Sequence, residues 1–127
     1  MKIYTSYFAK SSRHPRAVSI ARFSPRWYGK GRRYIQLAPS PQLLKSKLPP
    51  DQWREEYQTQ VLDRLDPLLV ALELGDGAVM LCFEKPGEIC HRHYVADWLR
   101  ERCKIEVEEI GVSRETEKPE CVQESLL

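Results

Sequence analysis

Cys90, His91 and Arg92 follow an apolar run and a proline–glycine turn in the stretch VMLCFEKPGEICHRHYVADWL, residues 79–99. Ala78 to Phe83 reads as a buried strand, Glu84 and Lys85 end it, and Pro86-Gly87 turns the chain. Beyond the turn, Tyr94, Val95, Trp98 and Leu99 recur at helical spacing. A thiol, an imidazole and a guanidinium therefore open a helix, whose N-terminus offers unpaired N–H groups and partial positive charge to an anion or a thiolate. The candidate catalytic residues are Glu84 as general acid or base, and Cys90 and His91 as thiol and assisting base. Each has a plainer reading. Cys90 can be a capping or core thiol, and Arg92, a cation unhelped by the dipole in a first turn, can answer an internal acid such as Glu84.

Other chemistry is poorly supported. A zinc site could draw on Cys82, Cys90, His91 and His93. Against it stand the Cys-x7-Cys spacing, the place of Cys82 inside a buried strand, and the roughly 100° that separates adjacent helical residues such as Cys90 and His91. No metal and no cofactor is expected. A phosphatase- or rhodanese-type thiol loop needs an arginine six residues past the cysteine, where this chain has Ala96. Neither a Gly-rich phosphate loop nor a G-x-S-x-G elbow is present.

The 127 residues carry a net charge of only +2, but the charges are segregated. Residues 1–50 hold eleven Lys or Arg and no acid, while residues 51–127 hold nine basic and all eighteen acidic side chains. Either the halves neutralise each other across a folded interface, or the first presents a basic surface to phosphate-bearing partners. In the second case Arg26, Trp27, Lys30, Arg32 and Arg33 are candidate nucleic-acid contacts, combining phosphate pairing with base stacking. Arg32 and Arg33, in a Gly-punctuated loop, are expected to be solvated and to matter little for stability. The composition fits a globular chain of one domain. No apolar run is long enough for a membrane span, and the N-terminus lacks the apolar core of a signal peptide. Cys82, Cys90, Cys103 and Cys121 thus read as reduced thiols of a cytoplasmic protein.

Strands are expected near 2–8, 17–22, 78–84 and 105–110, with a short extended piece at 34–37 in an otherwise irregular stretch from 23 to 50. Helices are expected from the cap Asp51, from Asp66 through Leu68–Leu74 to Gly75, and from Cys90 to Cys103. Residues 1–112 would form a single α/β domain, and 113–127 a flexible tail. Alternating strands and helices imply a three-layer sandwich around a mainly parallel sheet of four to five strands. Ligands of such sheets collect at the strand carboxyl ends, which here carry Ser6, Tyr7, Arg22 and Lys85. Arg92 would join them as a ligand-binding residue.

Those residues resemble a known family. LCFEKPGEICHRHYVADWL is similar to the signature of the domain-of-unknown-function family 488, a strand ending in Cys-x-Glu-Lys and then Cys-His-Arg opening a helix. KIYTSYF resembles its first strand, and AVSIARFSPRW its second, with Arg22 and Pro25 matching and Ile20-Ala21 standing where many members have Asp-Val. The resemblance spans about residues 2–111 and implies an α/β sandwich with a polar cluster of Arg22, Glu84, Lys85, Cys90, His91 and Arg92. It implies no particular reaction. The expected function is a pocket binding, and acting on, a phosphate-bearing small molecule or nucleic acid, with no membrane role. The alternative is a non-catalytic basic module that binds nucleic acid or protein, its Cys-His-Arg cluster structural.

Overall fold

The computed structural model describes residues 1–83 and 90–111. Glu84, Lys85 and the expected tail at 113–127 lie outside them. Four strands, β1 (Lys2–Tyr7), β2 (Ala17–Ser19), β3 (Val79–Cys82) and β4 (Glu106–Glu109), form one sheet in the order β2-β3-β1-β4. Every pairing is parallel, with Tyr4 opposite Val79, Val18 opposite Met80 and Thr5 opposite Glu109. The expected parallel α/β architecture is therefore present. β2 is shorter than the apolar run that announced it, because Ile20 and Ala21 continue the buried backbone beyond it without full pairing.

Period-two alternation sends the two faces of the sheet to different partners. Ile3, Val18, Met80 and Val107 enter the larger core, with Tyr57, Val70, Val95 and Leu99 of the helices. Val79 and Leu81 enter a smaller core with Phe8, Ala17 and Tyr28. One face thus lies under α3 (Pro50–Gln60), α4 (Pro67–Leu74) and α5 (His91–Cys103), and the other under the single turn of α1 (Phe8–Ser11) and a short 3-10 turn at Arg26–Tyr28. The helical layers are unequal.

Local chemistry explains most boundaries. Asp66 caps α4 through a bond from the Leu68 N–H (3.0 Å), Pro67 supplies the first-turn φ, and Gly75 ends the helix at φ 92°. Asp51 is not the expected cap: α3 starts at Pro50, after Pro49, and Asp51 sits in its first turn, where its charge suits the dipole. The stretch read as irregular contains α2 (Pro41–Lys45), capped by Ser40, which accepts from the Leu43 N–H. Tyr34–Leu37 is not extended either; Ile35–Leu37 is a 3-10 turn, fixed at its start by a bridge between Ser19 and Arg33 and at its end by the Tyr57 hydroxyl, which donates to the Leu37 carbonyl.

Candidate functional site

The carboxyl ends of β2 and β3 meet the N-terminus of α5 beside a cavity of about 420 Å³, within the range of small-ligand sites. Ala21 and Arg22 enter from beyond β2, Cys82 and Phe83 from the end of β3, and Cys90 and His91 from the start of α5. Leu44 of α2, Trp53 of α3 and Leu48 from the segment between them complete the lining. Three side chains anticipated from sequence, Arg22, Cys90 and His91, therefore meet at one site.

Arg22 is half-buried. Its Nε donates to the Pro39 carbonyl (3.0 Å) and Nη2 to that of Ala38 (3.4 Å), which aims the guanidinium while Nη1 has no partner among the described residues. His91 is buried, and its Nε2 bonds the Ile20 carbonyl at 2.7 Å. A carbonyl only accepts, so the proton sits on Nε2 and Nδ1 keeps its lone pair, 3.9 Å from the Cys90 sulfur. Burial, with lesser contributions from Arg92 and His93 and against the bond to Ile20, pulls the imidazole down to about 4. His91 is consequently neutral at pH 7. It can accept a proton weakly or offer a lone pair, but it cannot supply a positive charge.

Arg92 is fully buried and absent from the cavity wall. Its Nε and Nη2 donate to the two carboxylate oxygens of Glu109 (3.0 Å each), a bidentate pair, and Nη1 donates to the Cys82 sulfur (2.9 Å). Thr5, opposite Glu109 in the sheet, donates its hydroxyl to the same carboxylate. The acid given to Arg92 by the structure is Glu109, seventeen residues on, where the sequence suggested Glu84. Its guanidinium is committed inside the protein. Glu109 was missed although its signal was legible: it shares a strand face with Ile105 and Val107, and an acid aimed into a core needs a buried cation.

Ser6 and Tyr7 are not part of the cavity wall. Ser6 is buried with its hydroxyl 2.7 Å from that of Ser11, and Tyr7 ends β1 opposite Cys82 and precedes α1. The expectation of independent thiols fails at Cys82 and Cys90, whose sulfurs are in bonding contact, while Cys103 is free. Their Cα atoms stand 7.1 Å apart, beyond the roughly 4.4–6.8 Å that bridged cysteines usually span. The basic surface also divides. Arg26, Trp27 and Lys30 are exposed, but Arg32 donates to the carbonyls of Leu74 (2.9 Å) and Glu73 at the end of α4, and Arg33 to those of Gly31 (2.9 Å) and Gly29 (2.8 Å). Both arginines are exposed, as expected, but the bonds of Arg32 to the end of α4 give it a structural role that the sequence did not suggest.

The sequence model of DUF488-N3a, described as the active DUF488-N3 subclade, matches residues 6–103, over three quarters of the chain. The chain belongs to the DUF488-N3a family. No curated protein and no solved structure matches it. The matched span runs from the end of β1 through α5 and so contains every described wall residue of the cavity in this DUF488-N3a chain, while Glu109, the acid behind Arg92, lies just outside it. Among its described residues no helix is long and apolar enough to cross a membrane.

Proposed function

We propose that this DUF488-N3a protein is an enzyme that binds a phosphate-bearing compound, a nucleotide or a nucleic-acid end, in the cavity between β2, β3 and α5. One observation carries the reading: a half-buried guanidinium, Arg22, lines one cavity with Cys90 and His91 at the start of α5 and with the aromatic Trp53. Arg22 and the positive end of the α5 dipole suit phosphate oxygens, and aromatic faces suit a base. Phe23 and Phe83 extend the aromatic surface to the rim, and Phe8 packs against both Phe83 (4.9 Å between centroids) and Trp27 (6.4 Å). Trp27 is 63% exposed, which lets a longer strand stack outside the cavity between Arg26 and Lys30. Cys90 and His91 are the reacting candidates inside the described residues. Glu84 and Lys85, which follow Phe83 directly in sequence, remain candidates for acid–base and anion-binding roles.

Titration calorimetry with a mononucleotide and with inorganic phosphate tests this. Binding of the nucleotide in preference to phosphate, lost in Arg22→Gln with the circular dichroism spectrum of the fold retained, is expected. Binding that ignores Arg22 would move the ligand elsewhere. Glu84→Ala separates enzyme from module, since an enzyme loses turnover with its fold intact, whereas a module keeps its binding.

A further inference from the structure

The strongest unexplained feature is the convergence of Cys82, Cys90 and His91, each offering one ligand atom, with all three atoms within 4.8 Å of one another. We propose that these residues form a binding site for a divalent, borderline-soft cation of the zinc class, held by two thiolates and the His91 Nδ1, with its remaining coordination position open to the cavity. The inference rests on the reading of that cavity as a ligand site and adds what would grip the ligand there.

The objections drawn from sequence dissolve in the fold. The divergence of adjacent helical residues does not apply, because Cys90 is not helical: it precedes α5 with φ −152° and ψ 143°, so its side chain turns toward that of His91. Cys82 is not in mid-strand but is the last residue of β3, at the carboxyl edge facing α5. The 3.9 Å between the Cys90 sulfur and His91 Nδ1 is close to the ~3.5 Å expected of a thiolate and an imidazole on one tetrahedral ion. In this structure the two sulfurs are joined, so the proposed site belongs to the reduced protein, in which the two thiolates part to reach one ion.

The surroundings match what metal ligands need. The Ile20 carbonyl accepts from Nε2 and thereby orients Nδ1 toward the sulfurs, the outer-shell arrangement that holds a ligating histidine. Arg92 donates to the Cys82 sulfur, which favours its thiolate, and Glu109 balances the guanidinium's charge. Two thiolates and one imidazole select zinc-class ions over magnesium or calcium, and three protein ligands beside a cavity leave a position for water or a substrate oxygen. Binding replaces two thiol protons by the ion, so two protons are released for each cation taken up by the dithiol form.

The full chain, reduced, stripped with a chelator and kept anaerobic, is titrated with cobalt(II) and then with zinc(II). The expected result is one equivalent bound, a sulfur-to-cobalt charge-transfer band in the near ultraviolet, two protons released, and displacement of the band by zinc. Cys82→Ser and Cys90→Ser lose stoichiometric binding, and Cys103→Ser keeps it. Should a serine variant fail to fold, wild-type protein still decides by peptide-mapped alkylation: zinc should shield Cys82 and Cys90 from iodoacetamide and leave Cys103 and Cys121 unchanged. A reduced wild-type chain that binds no cobalt, a band that disappears with Cys103, or alkylation indifferent to zinc overturns the proposal. No nucleotide is used, so a failed nucleotide titration and a failed metal titration are separate results.

Discussion

At the scale of single residues, the centre of the molecule is Arg92. Its positive charge is excluded from water, set in the unfavourable first turn of a helix, and made tolerable by two bonds to Glu109 and one to Cys82. Removing the acid strands the cation. Glu109→Ala should therefore cost about 3–5 kcal/mol, read as a lower urea midpoint. A loss of only a few tenths would mean that another group holds the guanidinium. From sequence, the need of Arg92 for an acid was legible, and so was the inward face of Glu109. Their meeting was not, because it depends on the register between β1 and β4, which places Thr5 against Glu109, and no local pattern encodes that register. Cys90 was misread for the opposite reason. The residues that follow it are helical, and only the extended backbone at the cap turns it toward His91.

At the scale of elements, helix ends carry much of the information. Asp66, Pro67 and Gly75 delimit α4 as their chemistry predicts, since capping is local and needs no partner from elsewhere. The C-terminal carbonyls of α4 are a different matter, being answered by Arg32 from forty-two residues away in sequence. Two predictions separate the local from the distant. Asp66→Ala should cost about 1 kcal/mol, measured by denaturant unfolding. Arg32→Glu should lower the thermal midpoint clearly, whereas Arg26→Glu should leave it within error, because the Arg26 side chain is exposed and bonds no partner among the described residues. Equal midpoints for those two variants would deny Arg32 its capping role. The short helix α2 escaped notice because five residues are too few for a periodic pattern, although Ser40-Pro41 is a good start signal.

At the scale of the whole molecule, the segregated charges bear on partners. Of the basic residues in 1–50, only Lys2 makes a salt bridge among the described residues, to Glu106 and Glu108 on the neighbouring strand. The arginines at 16, 22, 32 and 33 instead hold backbone carbonyls, and keep their charge uncancelled. Among the described residues, ion pairing between the two halves is thus confined to Lys2, and the remaining basic side chains are the ones on which the proposed external anion depends. If nucleic acid is that anion, binding should weaken steeply with salt through counterion release. Arg26→Glu with Lys30→Glu should reduce it without lowering the thermal midpoint, a cleaner pair than Arg32 with Arg33. Salt-independent binding, checked by fluorescence anisotropy, would remove nucleic acid from consideration.

The central claim is that the cavity at the ends of β2 and β3 takes a phosphate-bearing ligand through Arg22. Parallel calorimetric titrations of one mononucleotide into wild type, Arg22→Gln and the Arg26→Glu, Lys30→Glu double variant test it most directly. The account predicts one site in wild type, retained in the double variant and lost in Arg22→Gln while that variant keeps the wild-type circular dichroism spectrum. Binding retained in Arg22→Gln and lost in the double variant would contradict it, and would place the ligand on the outer basic surface.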